Sequence, residues 1–230
     1  MIGIIGAMHE EIVELKELIN NLTEETISNI TFFKGSINNK EIILVESGIG
    51  KVNSAVCATL LINHFKVDKI IFTGVAGGVD NDIEIGDIVI STKLIEHDFD
   101  VTAFGLKPGV IPRMNNSEFR ADENLRKIAK EAALEIFEEK QVREGIIVSG
   151  DQFISSIEKI NWLRDTFNAS CAEMEGASIA HVCYMFDIPF VILRAISDKA
   201  DHNAKVDFPT FVKKAAKNSK EIVLRMLEKL

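Results

Sequence analysis

Glu11 is an acidic residue on the apolar face of an amphipathic segment. The segment Glu10–Leu22 predicts a helix whose apolar line runs through Leu15, Leu18 and Leu22, and Glu11 lies one helical repeat before Leu15. Because a short apolar run precedes this helix, the carboxylate should lie at the carboxyl end of a strand, where ligands bind in open α/β sheets. The alternative is that Glu11 only stabilises the positive end of the helix dipole.

A second acidic pattern is Glu173-Met174-Glu175, which comes just before an apolar helical segment. Alternation in an extended segment places Glu173 and Glu175 on the same side. A carboxylate accepts two hydrogen bonds in a fork, which suits a vicinal diol such as that of a ribose. An ordinary acid-rich helix N-terminus would give the same pattern.

A third cluster follows the buried strand pattern Phe190–Ile196, where the run Arg194-Ala195-Ile196-Ser197-Asp198 turns polar. Polar groups at the carboxyl end of a buried strand are typical of catalytic and binding sites. We expect Ser197 to hydrogen-bond to Asp198 and Arg194 to pair with Glu173. A turn followed by a helix cap is the alternative for Ser197 and Asp198.

These residues must be positioned by elements in which strands and helices alternate, as in α/β folds. The predicted strands are Ile2–Ile5, Thr31–Ile37, Glu41–Glu46, Lys69–Phe72, Asp87–Ile95, Gly145–Val148 and Phe190–Ile196. The predicted helices are Glu10–Leu22, Lys51–His64, Asp122–Glu138, Gly176–Met185 and Phe208–Leu230. A hairpin signal at Asn38-Asn39 indicates a mixed sheet, so we expect a single α/β domain over residues 1–230, with a mixed twisted β-sheet flanked by helices.

Composition narrows the function classes. The chain has 230 residues, of which 47% are hydrophobic, and a formal net charge of −9, so it can fold around a core and lacks the basic surface of a general nucleic-acid-binding protein. No apolar run approaches the ~20 residues of a membrane helix. Three widely spaced cysteines suit reduced thiols in the cytoplasm. The five histidines show no metal-ligand spacing except His97 near Asp98 and Asp100, a cluster more typical of a surface loop.

Seven motifs, taken together, identify a family. They are Gly3–Met8 with Glu10-Glu11, Ser47–Lys51, Thr73–Gly78, Asp100–Gly105, Ser149–Ile154, Glu173–Glu175 and Arg194–Asp198. In this order, and over essentially the whole chain, the sequence resembles 5′-methylthioadenosine/S-adenosylhomocysteine nucleosidases. The resemblance implies a purine nucleoside phosphorylase-like fold, adenine nucleosides as ligands, a homodimer and no metal or organic cofactor.

The same resemblance implies roles for the acidic residues. Glu11 would be the general base that activates water, and Asp198 the general acid that protonates N7 of adenine. Glu175 would hold the ribose hydroxyls and Met174 would pack against the sugar. The family often has Ser where this chain has Val75, so contacts to ribose or water could differ there.

Further pocket residues are implied by the resemblance. Phe153 would stack on adenine and the Ile154 backbone would read its edge. The remaining substrate-binding positions are Met8, Gly77, Glu173, Arg194, Ser197 and Phe208. Phe104 and Pro112, in the long irregular stretch Phe99–Phe119, would complete the pocket of the partner subunit.

The implied reaction is hydrolysis of the N-glycosidic bond through an oxocarbenium-like transition state. An aspartic acid has an ordinary pKa of ~3.9, so Asp198 needs burial or a bound proton network to act as an acid near neutral pH. A nucleoside phosphorylase is the nearest alternative, although its phosphate site needs several cationic side chains. A futalosine or deoxyadenosine nucleosidase and a non-catalytic nucleoside sensor also remain open.

Overall fold

Strands and helices alternate along the part of the chain that the computed structural model describes, residues 1–200 and 204–230. The strands are β1 (Ile2–Gly6), β2 (Asn20–Ile27), β3 (Ile30–Ile37), β4 (Lys40–Glu46), β5 (Lys69–Gly78), β6 (Ile88–Glu96), β7 (Phe119–Arg120), β8 (Val142–Ser149), β9 (Ala169–Glu173) and β10 (Phe190–Asp198). The α-helices are α1 (His9–Lys16), α2 (Lys51–Asn63), α3 (Glu123–Leu134), α4 (Ile157–Phe167), α5 (Gly176–Met185) and α6 (Ala204–Lys229).

All ten strands belong to one mixed sheet, as the sequence predicted. Its order is β10-β6-β8-β9-β5-β1-β4-β3-β2, with β7 paired to β6. Because β10 also pairs with β5, the strands β5, β10, β6, β8 and β9 close into a ring, and the rest of the sheet extends from β5. Apolar side chains pack on both faces, with α1, α3 and α6 on one side and α2 and α5 on the other.

The parallel strands β1, β5 and β10 bring three polar segments to one edge of the sheet. β1 pairs in parallel with β5, and β5 pairs in parallel with β10. Glu11 follows the carboxyl end of β1, residues 74–78 form the carboxyl end of β5, and Asp198 is the last residue of β10. β9 runs antiparallel to β5, with Gly77 opposite Ala172, so Glu173 arrives at the same edge from the other direction.

The first predicted helix is correct at its start and wrong at its end. Helix α1 stops at Lys16, and the chain continues as the strand β2. Leu18 and Leu22, which the pattern placed on the apolar face, are 45% and 38% exposed. Glu11 is nevertheless buried beside Leu15 on the inward face of the first turns, so the expectation for its side chain is confirmed.

The predicted hairpin is confirmed. Asn38 and Asn39 join β3 to β4 with φ angles of 50° and 60°, the left-handed pair that a tight type I′ hairpin turn requires and that asparagine tolerates. Within residues 1–200 and 204–230, no helix combines the length and the apolar composition needed to cross a bilayer.

Candidate active site

A cavity of about 330 Å³ lies at this edge of the sheet. Most of the predicted site residues line it, namely Met8, Glu11, Gly77, Phe153, Ile154, Glu173, Met174, Glu175, Ser197, Asp198 and Phe208. Arg194 lies against the carboxylates without lining the cavity, and Phe104 and Pro112 stand away from it. Residues remote in sequence therefore converge on one concave site, as ligand-binding sites in α/β proteins do.

Glu11 is fixed by three backbone N–H groups. The amides of Ala7 and Met8 donate to its Oε2 at 2.6 and 3.0 Å, and the amide of Val75 donates to its Oε1 at 3.0 Å. Burial raises the pKa of this carboxyl, whereas the Arg194 guanidinium and the three amides lower it. Glu11 therefore accepts hydrogen bonds from the backbone at the N-terminus of α1 and also places a buried carboxylate at the cavity.

Arg194 pairs with Glu173, as the sequence predicted. Both side chains are buried, and the guanidinium also stacks over the Phe72 ring at 3.7 Å. Glu173 in addition accepts hydrogen bonds from the Ser149 hydroxyl and from the Gly176 N–H, the latter at 2.8 Å. The oxygens of Glu173 are thus used by protein groups, so this residue holds Arg194 and the start of α5 in place.

Glu175 is the buried carboxylate at the start of α5. Its Oε1 accepts the Gly50 N–H at 2.9 Å, and its Oε2 lies 3.8 Å from Arg194 Nη2. Burial, and then the neighbouring Glu173 carboxylate, raise the pKa of Glu175 to about 8, although Arg194 opposes the shift. The carboxyl group therefore holds a proton more readily than an exposed glutamate does.

Gly74 permits the arrangement of charges around Arg194. A Cβ atom at this position would overlap Arg194 Nη1 and Glu11 Oε1. The adjacent residue Val75 supplies the amide that binds Glu11 and is itself 8% exposed at the cavity. Strand β5 thus approaches the carboxylates through its backbone alone.

Asp198 ends β10 and is buried. The Ser197 hydroxyl donates to its Oδ2 at 2.9 Å, as the sequence predicted, and the Ala200 N–H donates to its Oδ1 at 2.7 Å. The register between β10 and β5 shifts between Ile196 and Asp198, and this irregularity places Asp198 opposite Gly77. Bulges of this kind redirect side chains and are common beside active sites.

Apolar side chains form the rest of the cavity wall. The Phe153 ring, 47% exposed, meets the Phe208 ring edge-on with centroids 5.8 Å apart. Ile154 is buried, and Met8 and Met174 are partly buried. A flat aromatic face beside buried carboxylates suits a ligand with a planar base and a polar sugar.

Phe104 and Pro112 occupy the exposed stretch between β6 and β7. Phe104 ends a single 3₁₀ turn, Thr102–Phe104, and is 85% exposed. Pro112 is also exposed. Neither side chain contributes to the cavity of its own chain, so the prediction that they serve a partner subunit remains a prediction.

His97 lies in a turn directly after β6, but its ring is buried, so the surface position expected for it is wrong. The ring is 1% exposed, and neither nitrogen has a hydrogen-bond partner among the described residues. Burial, followed by the nearby Lys159 ammonium, lowers the pKa of His97 to about 4. Within the described part of the chain no cluster of His, Cys, Asp and Glu could hold a metal ion, and His202 lies outside it.

Acid should destabilise the fold through His97. The unfolded histidine takes up a proton near pH 6.5 and the folded one only near pH 4, so stability is lost as the pH falls through this window. When the pH is lowered from 7 to 4.5, the free energy of unfolding should fall in both proteins. The fall should be about 2 kcal/mol smaller in His97→Leu than in the wild type. Urea denaturation at each pH measures the free energy of unfolding of the two proteins. If it changed equally with pH in both, His97 would have no such role.

The chain belongs to the phosphorylase superfamily. The family model with that description matches residues 1–228. The chain thus belongs to a superfamily whose model covers nearly its full length.

Individual relatives narrow the assignment. A Staphylococcus carnosus protein described as 5′-methylthioadenosine/S-adenosylhomocysteine nucleosidase is 47% identical over 231 residues, 100% of both chains. The solved structure of the nucleosidase of that name from Neisseria meningitidis, in complex with methylthio-immucillin-A, has a TM-score of 0.95 and 40% identity and covers 100% of this chain and 99% of that one. Within the superfamily the chain belongs to the 5′-methylthioadenosine/S-adenosylhomocysteine nucleosidase family, as its motifs predicted.

A differently named structure is also similar. The futalosine hydrolase of Helicobacter pylori strain 26695 has a TM-score of 0.94 and 41% identity, and the match covers 100% of this chain and 97% of that one. The fold is therefore shared by proteins with different names, so the fold alone does not define the substrate.

Proposed function

We propose that the protein hydrolyses the N-glycosidic bond of 5′-methylthioadenosine and S-adenosylhomocysteine, giving adenine and the 5-thio-substituted ribose. This proposal rests on one observation. Glu11 and Asp198 line the same cavity, although they are 187 positions apart in sequence, and both are buried. Cleavage of this bond needs help on both sides, because positive charge develops on the sugar and negative charge on the base.

Asp198 acts on the departing base. As the bond between C1′ and N9 breaks, the electron pair moves into the purine, and a proton delivered from the Asp198 carboxyl to N7 neutralises it. The Ser197 hydroxyl and the Ala200 amide hold the carboxyl in place. General acid catalysis of this kind contributes about 10²–10⁴-fold.

Glu11 acts on the sugar side. Its ionised carboxylate takes a proton from the water whose oxygen bonds to C1′, and its charge stabilises the cationic sugar. Burial raises the pKa of Glu11, and the three amides that bind it and the Arg194 guanidinium oppose this rise and favour the ionised form. The fixed amides also hold the carboxylate in one orientation, so little reorganisation is needed during the reaction.

Glu175 holds the ribose hydroxyls, and its neighbours hold Glu175. A carboxyl group with one oxygen on the Gly50 amide and the other near Arg194 still has lone pairs for a diol. Phe153 stacks on adenine, with Ile154, Gly77 and the wall residues described above enclosing the nucleoside. Ser197 positions Asp198, whereas Glu173 and Arg194 position Glu175 and Glu11.

The charge of the cavity favours water over phosphate as the nucleophile. Glu11, Glu173, Glu175 and Asp198 line it, and among its described lining residues there is no lysine or arginine. Arg194, the nearby cation, is paired with Glu173. A phosphate anion would lie beside the ionised Glu11 without the several cationic side chains that phosphate sites supply.

Incubation with 5′-methylthioadenosine, with and without phosphate, tests this proposal. We expect adenine release at the same rate in both buffers, with 5-methylthioribose as the second product. Release that requires phosphate and yields a sugar phosphate would identify a phosphorylase. Futalosine and deoxyadenosine, assayed in parallel, should be poorer substrates, and a preference for futalosine would favour the alternative that the Helicobacter pylori structure represents.

We further propose that residues 1–230 act as one nucleosidase domain in a cytoplasmic homodimer. The exposed apolar residues Ile49, Val52 and Phe104 are 54%, 73% and 85% exposed, and Ile49 also lines the cavity. A second copy covering them would place its Phe104 and Pro112 at this cavity. The three cysteines are free and buried, which suits a reducing compartment. Sedimentation at micromolar concentration should give a mass of two chains.

A further inference from the structure

The contact between Gly50 and Glu175 depends on a turn with an unusual backbone. Gly50 has a φ of 98°, a conformation that side chains disfavour, and its N–H donates to Glu175 at 2.9 Å. A Cβ atom at Gly50 would lie 3.1 Å from an oxygen of Asp151. The carboxylate of Asp151 is thus packed directly against this turn.

Three side chains close a ring of hydrogen bonds around the turn. The Lys51 N–H donates to Asp151 Oδ1 at 2.8 Å, the Asp151 N–H donates to Asp98 Oδ2 at 3.0 Å, and Lys51 Nζ donates to Asp98 Oδ1 at 2.6 Å. We call Lys51, Asp98 and Asp151 the clasp. It joins the start of α2, the segment after β6 and the segment after β8.

The clasp lies outside the cavity, close in sequence to residues that line it. None of its three residues lines the cavity, but Lys51 follows Gly50, and Asp151 precedes Gln152 and Phe153, which do line it. Asp151 is exposed, yet its carboxylate binds a backbone amide and so fixes the chain. Lys51 Nζ also binds Glu96 at 3.2 Å, which anchors the ring to β6.

We propose that Lys51, Asp98 and Asp151 form a positioning unit that holds the Gly50 amide against Glu175 and ties this ribose-side contact to the segment that carries Phe153. The inference rests on the proposed function, in which Glu175 binds the ribose hydroxyls. Loss of the clasp frees the Gly50 turn, Glu175 loses its fixed donor, and recognition of the ribose weakens while the chemistry of Glu11 and Asp198 is retained.

Discrimination between 5′-methylthioadenosine and its 2′-deoxy analogue tests the clasp. Asp151→Ala should lower the ratio of the two kcat/KM values about tenfold, chiefly through KM of the ribonucleoside. Asp151→Asn keeps an acceptor for the Lys51 amide and should restore the ratio to within about threefold of the wild type. Lys51→Met, which removes the ammonium and keeps the amide, should lower the ratio in the same direction.

Asp122→Ala is the matched control. Asp122 accepts the Leu125 N–H at 2.8 Å at the start of α3, outside the cavity, so this variant loses a bond of the same kind without affecting the ratio. An unchanged ratio in Asp151→Ala, or an equal loss on both substrates, would overturn the proposal. A crystal structure of Asp151→Ala gives a readout independent of activity: the clasp predicts a broken bond between Gly50 and Glu175, and an intact one at 2.9 Å would contradict it. Adenine release by the wild type separately decides the proposed function.

Discussion

Asp198→Asn should lower turnover of 5′-methylthioadenosine by about 10³-fold while leaving nucleoside affinity within about threefold of the wild type. Asparagine has nearly the same shape as aspartate, and its one oxygen can accept the Ala200 N–H while its NH2 group donates to the Ser197 hydroxyl, but it has no acidic proton to give to N7. The loss should therefore fall on kcat. Single-turnover adenine release measures the chemical step, and calorimetric titration with the nucleoside measures binding.

Asp87→Asn is a suitable control for this prediction. Asp87 is also buried and accepts a backbone N–H, from Glu84 at 2.9 Å, but it does not line the cavity. Its variant should keep turnover close to that of the wild type. Turnover of Asp198→Asn within about tenfold of the wild type would remove Asp198 from the acid role, because general acid catalysis is worth more than that.

Arg194→Met should have the largest effect on stability, lowering the free energy of unfolding by about 3–5 kcal/mol at neutral pH. The variant leaves Glu173 buried without its ion-pair partner and removes the cation that faces Glu11 and Glu175. The double variant Arg194→Met/Glu173→Gln should recover part of the loss, because the uncompensated charge is gone. Urea denaturation of the three proteins measures these differences.

The loss in Arg194→Met should grow as the pH rises. Arg194 lowers the pKa of both Glu11 and Glu175, so without it both folded-state pKa values move further above their ordinary values. A group with a raised folded-state pKa stabilises the fold at low pH and loses that contribution as the pH rises through the raised value. The deficit should thus be smaller at pH 5 than at pH 8, and equal deficits would count against this account.

Arg126→Met gives the matched comparison for a surface pair. Arg126 Nη2 lies 2.7 Å from Glu144, and both side chains are partly exposed, so this variant should cost about 1 kcal/mol or less. If Arg126→Met and Arg194→Met lowered the free energy of unfolding by the same amount, burial of the Arg194 pair would not increase its effect on stability.

The sequence predicted the site better than it predicted the surrounding elements. Glu11, Glu173 and Arg194 stood out because charged residues in apolar patterns need partners, and the structure supplies those partners. The pairing of Ser197 with Asp198 followed from their adjacency after a buried strand. Such local conflicts between residue type and pattern are visible without knowing the fold.

Several elements escaped prediction because their sequences carry little periodic signal. Strand β2 is exposed along nearly its whole length at the edge of the sheet, so no apolar alternation marks it, and the leucines before and within it were assigned to the preceding helix. Strand β9 is built mainly from small residues. Helix α4 before it was missed although its buried residues Ile160, Leu163 and Phe167 have helical spacing. The burial of His97 depends on Trp162 and Gly150 packing around it, which only the tertiary structure shows.

A crystal structure of Asp198→Asn with 5′-methylthioadenosine tests most directly whether the two acidic side chains work on opposite sides of one bond. We expect adenine N7 at hydrogen-bond distance, about 3 Å, from the side chain at position 198, and the Glu11 carboxylate within reach of C1′ of the sugar, directly or through one water. A nucleoside bound with its base away from position 198, or with Glu11 separated from C1′ by other protein groups, would contradict it.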